Sequence, residues 1–171
     1  AFTGNIIVDA GGSFKMVAGH NASFAQVGHG GYMDQGGGTN LNVRNGYATL
    51  SGDITIDVGG SFEAYGGITD NFAYAMVGHG GVARTAYGVD ALNEQDQGHH
   101  GNIVLNAGGD VTFRAKPEDG SALGDVTGNS NFAQLGHGGY RSAGDHYGAI
   151  TVDTPGSVTF EAGDAGWEAY R

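Results

Sequence analysis

The 171-residue chain contains no cysteine, 2 prolines, 1 tryptophan and only 7 basic residues. The missing cysteine excludes disulfides and thiolate metal sites, and it fits a cytosolic protein as well as a bacterial surface protein. Lys15, Arg44, Arg84, Arg114, Lys116, Arg141 and Arg171 are scattered singly against 18 acidic residues, for a net charge of −11. No basic stripe is present to neutralise phosphates, which argues against nucleic-acid binding. An acidic surface favours solubility and association with divalent cations instead. No apolar run approaches the roughly 20 residues of a membrane helix, and the opening AFTGNIIVDAGG has neither the basic start nor the apolar core of a signal peptide. The sequence therefore reads as a mature chain or as a piece of a longer one. It also lacks a phosphate-cradling loop ending in Gly-Lys-Ser/Thr, a nonapeptide calcium-roll signature, an EF-hand loop and any spacing suggestive of a Ser–His–Asp constellation.

What the chain has in excess is glycine, 35 residues, far above the average of about 7%. Such a composition suits either a flexible low-complexity chain or a fold with many tight turns. The apolar residues decide between them, because they arrive in short alternating runs such as NIIVD, DITID and AITVD. That is strand patterning.

The runs recur. GNIIVDAGGSF begins at Gly4, GDITIDVGGSF at Gly52, GNIVLNAGGDVTF at Gly101 and GAITVDTPGSVTF at Gly148, so the starts lie 48, 49 and 47 residues apart. A second cassette follows in three of the four units: FAQVGHGG at Phe24, AMVGHGG at Ala75 and FAQLGHGG at Phe132. Long segments sit at different corners in different units, as surface arms do. Each complete unit keeps three short strands. Three strands per turn with glycines at the corners predicts an all-β fold, a right-handed parallel β-helix (β-solenoid) of about three and a half coils of ~48 residues with long surface arms. One domain spans 1–171, with units 4–51, 52–100, 101–147 and a partial unit 148–171.

Stacking equivalent strands at ~4.8 Å predicts ladders. Ile6, Ile54, Ile103 and Ile150 form one apolar column, and Val8, Ile56, Leu105 and Val152 the next. Phe14, Phe62, Val111 and Val158 form a third, Phe24, Tyr74 and Phe132 an aromatic stack, and Asp9, Asp57, Asn106 and Asp153 a polar ladder. Gly12, Gly60, Gly109, Gly156, Gly28, Gly78 and Gly136 are expected at corners, where a Cβ is poorly tolerated.

These stretches of 11 to 13 residues, GNIVLNAGGDVTF with GDITIDVGGSF and GAITVDTPGSVTF, resemble the coil repeats of filamentous-haemagglutinin-like large bacterial exoproteins, although the units here are longer than the simple coils of that family. FAQLGHGG is similar to repeats found in very large bacterial surface proteins. The resemblance implies a long right-handed β-helix, exported and displayed at the cell surface as an adhesive fibre. Its partners are then neighbouring repeats or further copies, stacked end to end into a filament, together with surface glycans or other cells.

Candidate chemistry is sparse. His29, His79 and His137 recur once per unit and could be metal ligands. Donors stacked ~4.8 Å apart do not converge on one ion with Zn–N bonds of ~2.1 Å, which favours a corner histidine that satisfies backbone groups. His99, His100 and His146 are expected in the arm segments, where they offer weak metal candidates. Asp90, Glu94 and Asp96 are the carboxylate cluster outside the repeat, and calcium could associate weakly with the acidic arms. Trp167 and Tyr170 follow the last strand and suit hydrophobic capping, sugar stacking or an interface. No cofactor and no enzymatic activity is expected. The alternative is a carbohydrate-active parallel β-helix enzyme, a polysaccharide lyase or glycosidase working through clustered carboxylates.

Overall fold

A computed structural model of the chain describes residues 2–19, 23–31, 50–67, 73–81, 98–115, 131–139 and 145–162. The strands are β1 (Phe2–Thr3), β2 (Ile6–Ala10), β3 (Phe14–Val17), β4 (Phe24–Val27), β5 (Leu50–Ser51), β6 (Ile54–Val58), β7 (Phe62–Tyr65), β8 (Tyr74–Val77), β9 (Ile103–Ala107), β10 (Val111–Arg114), β11 (Phe132–Leu135), β12 (Ile150–Asp153) and β13 (Val158–Glu161). Among the described residues there is no helix. The fold is all-β. Every strand pair is parallel.

The sheets run β12-β9-β6-β2, β13-β10-β7-β3, β11-β8-β4 and the short β1-β5. Among the described residues, sequential strands do not pair with one another. Each pairs with the strand at the same place in the neighbouring unit, so the repeat spacing sets the register directly. Ile6 pairs with Ile54, Ile54 with Ile103, and Ile103 with Ile150. Phe14 pairs with Phe62 and Phe62 with Val111, which pairs with Val158. Phe24, Tyr74 and Phe132 align likewise and stack, with ring centroids 5.4 and 4.9 Å apart.

Alternate residues from the three larger sheets meet in one core. Ile54, Ile56, Phe62, Ala64, Ala75, Val77, Ile103, Leu105 and Val111 are all fully buried. Each large side chain among them contributes about 1.5–3 kcal/mol before the entropy of ordering is counted. The bulk changes column between units. Phe62 is followed two residues on by Ala64, whereas Val111 is followed by Phe113, so a large residue in one column sits beside a small one in the other. Phe62 accordingly stacks on Phe14 at 5.8 Å and tilts against Phe113 at 5.4 Å, while Phe113 stacks on Phe160 at 5.1 Å. β8 is buried on both faces, its Tyr74 and Met76 being as inaccessible as Ala75 and Val77.

At the corners the strand ladders break, and the amide protons they leave are taken by side chains of the adjacent unit. Asn5 Oδ1 accepts from the Asp53 amide at 3.0 Å, Asp53 Oδ1 from Asn102 at 2.8 Å, and Asn102 Oδ1 from Ala149 at 3.1 Å. Ser13 Oγ and Asp110 Oδ1 receive the Ser61 and Ser157 amides in the same way. On the outside, Lys15 pairs with Glu63 at 3.3 Å and lies over the Tyr65 ring, and Arg114 pairs with Glu161 at 2.8 Å.

The three-strand count per unit is incomplete. A fourth contact precedes the first strand of each unit: β1 pairs with β5, and isolated parallel bridges join Ser51 to His100 and His100 to Tyr147. His99, His100 and His146, expected in the arms, belong to this fourth contact. One or two residues per unit are enough for a bridge but too few for any hydrophobic period to show.

Candidate functional site: two histidine ladders at one corner

The Gly-His-Gly-Gly segment after β4, β8 and β11 brings neighbouring units into backbone contact. Gly78 has φ +149°, and a Cβ built on it would overlap the Gly136 carbonyl oxygen; Gly80, at φ +114°, would meet the Gly138 carbonyl in the same way. Only glycine allows both the conformation and the approach. The Gln26 amide donates to the Gly78 and Gly80 carbonyls at 3.0 and 2.9 Å, tying one unit's strand to the next unit's corner.

Held at this separation, the rings of His29, His79 and His137 stack with centroids 4.9 and 5.0 Å apart, their planes nearly parallel. The His79 and His137 rings bond in two directions, and that of His29 bonds through Nε2. Nε2 of His29, His79 and His137 lies 2.9, 2.8 and 2.8 Å from the carbonyl oxygens of Gly4, Gly52 and Gly101, each in its own unit. Nδ1 of His79 accepts the His29 amide at 3.0 Å, and Nδ1 of His137 accepts the His79 amide at 3.1 Å. An amide N–H can only donate and a carbonyl can only accept, so His79 and His137 are neutral, with the proton on Nε2. Neither ring keeps a lone pair for a metal. Burial is the largest cause that holds His79 and His137 below the ordinary histidine pKa; the Gly52 and Gly101 carbonyls oppose it, and neighbouring histidines add to it.

A second ladder stands beside the first. His99 and His146 stack at 5.0 Å, and Nδ1 of His146 accepts the His99 amide at 3.0 Å, while Nδ1 of His99 takes the Leu50 amide at a long 3.4 Å. His99 is 3% exposed, and burial, followed by repulsion from His146, His79, His137 and His100, lowers its pKa to about 4. Burial also lowers that of His146, with Asp145 opposing. The Nε2 atoms of both rings are buried without a hydrogen-bond partner among the described residues. His100 stacks on the exposed Tyr147 at 4.7 Å.

The remaining candidates are dispersed. Asp9, Asp57, Asn106 and Asp153 line an open groove of about 450 Å³ with Gly11, Gly59, Gly108 and Pro155. Within it the Asn106 amide donates to Asp57 at 2.6 Å, and these side chains form a row at unit spacing. Gly12, Gly60 and Gly109 follow it, joined by amide-to-carbonyl bonds of 3.1 Å, and a Cβ on Gly156 would crowd Asp110. Gly28 abuts the Gly78 carbonyl. Asp90, Glu94, Asp96, Trp167 and Tyr170 lie outside the described residues. Among the described residues, no group of three or more His, Asp or Glu side chains is placed to hold a metal ion. The Asn5–Asp53–Asn102 ladder was not foreseen from sequence. Its signal is the residue directly before each strand.

Compared with protein-family models, curated proteins and solved structures, the chain matches none.

Proposed function

We propose that the chain is a structural segment of an extracellular bacterial fibre or adhesin, its parallel sheets being the faces of a right-handed β-solenoid of about three and a half coils. The observation that carries this reading is the use of the polar side chains: Asn5, Asp53, Asn102, Ser13, Asp110, His79, His137 and His146 all accept amide protons from a neighbouring unit. Chemistry-bearing residues are thereby committed to holding units together, as a scaffold requires and a catalytic centre does not. Along the outer edge, Ile150, Val158 and Phe160 on β12 and β13 are about half exposed, although their partners in the inner units are buried. Further coils, from the same polypeptide or another copy, complete that edge and extend the fibre. The acidic surface then faces the surroundings, where glycans or other cells are met.

Cryo-electron microscopy of concentrated protein tests the reading. Filaments with a layer line near ~4.8 Å along the axis support it. Discrete particles that sustain turnover of anionic or neutral polysaccharides would replace it with the carbohydrate-active enzyme.

A further inference from the structure

Both histidine ladders connect units through the same atom. Nδ1 of His79, His137 and His146 accepts an amide proton from the preceding unit, whereas the Nε2 bonds of His79 and His137 stay within their own unit. An imidazolium carries a proton on both nitrogens and has no acceptor left. Protonation therefore keeps the bond inside the unit and removes the bond between units, setting N–H against N–H. It also places a positive charge about 5 Å from the next ring, from the centroid spacings.

We propose that the two ladders form an acid-sensitive clamp, closed while the imidazoles are neutral and released at this corner when they are protonated. The sheets β12-β9-β6-β2 and β13-β10-β7-β3 are paired through strands that contain no histidine, and they stay paired when the corner opens.

The titratable groups facing these rings are chiefly one another. His29 and His137 flank His79, and His100 acts on His79, His99 and His137. His146, His79 and His137 act on His99, and His137 acts on His146. Asp145 is the carboxylate among the described residues that favours a charged ring, that of His146. With burial and mutual repulsion lowering the closed-state pKa values, opening is favoured as pH falls below the ordinary 6.5. Each pH unit in that window shifts the opening equilibrium about tenfold per ring, until the closed-state pKa is reached.

Residue-resolved hydrogen exchange by NMR between pH 7 and pH 4.5, corrected for the intrinsic pH dependence of exchange, tests the clamp on the full chain. The expected result is a loss of protection of about tenfold or more at the His29, His79 and His99 amides, with the Ile54 and Ile103 amides unchanged, following the titration of the imidazole nitrogens. The variants His137→Asn and His146→Asn supply a side-chain oxygen that accepts an amide proton, as Asn5 and Asn102 do, but does not titrate. The first is expected to keep the His79 amide protected at pH 4.5 and the second the His99 amide. If one variant fails to fold, the other amide still decides. Protection unchanged to pH 4.5, release of corner and sheet amides together, or equal release in the asparagine variants would each overturn the proposal.

Discussion

Replacing Phe62 with alanine tests whether the column in which it stands is the centre of the core. Phe62 is 0% exposed. Its ring lies 5.8 Å from that of Phe14 and 5.4 Å from that of Phe113, contacts that bridge three units. The small residue beside it on β7, Ala64, cannot fill the space, and the β7 backbone is held by parallel neighbours on both sides. A buried phenylalanine replaced by alanine in such a rigid site costs about 3–5 kcal/mol. That is a large part of the ~5–15 kcal/mol available to a domain. Phe160→Ala is the matched control: the same substitution at a residue 59% exposed and stacked on Phe113, expected to cost roughly 1 kcal/mol. Urea denaturation followed by far-UV circular dichroism measures both, with comparable m-values required for the comparison. A cost for Phe62→Ala no greater than that for Phe160→Ala would refute the central place of this column in the core.

Other consequences can be checked with the same assay. Gly11→Ala is expected to be near neutral, within about 0.5 kcal/mol, because a Cβ there meets nothing within 4 Å. Gly59→Ala, one unit on in the same column, is expected to destabilise severely, because its Cβ would overlap the Gly11 carbonyl oxygen. Asn102→Ala removes the acceptor for the Ala149 amide and should cost about 0.5–1.5 kcal/mol, with faster hydrogen exchange at Ala149. The folded-state pKa of His99 is lowered from 6.5 to about 4, so the folded state binds fewer protons than the unfolded state between those values. Its contribution is therefore fully present above pH 6.5 and falls by about 1.4 kcal/mol per pH unit on acidification toward pH 4; a stability profile in which His99→Asn leaves that slope unchanged would exclude it.

Much of the architecture was legible because a parallel pairing between equivalent strands converts a distance along the chain into a register in space. The 47- to 49-residue spacing names Ile6, Ile54, Ile103 and Ile150 as one column, and these are the residues that pair. The candidate site was legible only in part. His29, His79 and His137 announce themselves through an eight-residue cassette, whereas His99 and His146 stand next to the single bridge between His100 and Tyr147. A contact that short leaves no periodicity to read.

The alternation of apolar residues, the repeat length and the glycines at the turns are local properties, and the sequence by itself determined from them the longer strands, the partners of those strands and glycine corners where the backbones touch, but not the short fourth contact. Which nitrogen of each imidazole carries its proton, which amides are received by Asn5, Asp53 and Asn102, and how the bulk of Phe62 and Phe113 is shared between columns were decided only in the tertiary structure. Each depends on a donor, acceptor or small neighbour at least 47 residues away for the interactions between units, and on a separation of about 5 Å between stacked rings, neither of which exists until the units are in contact.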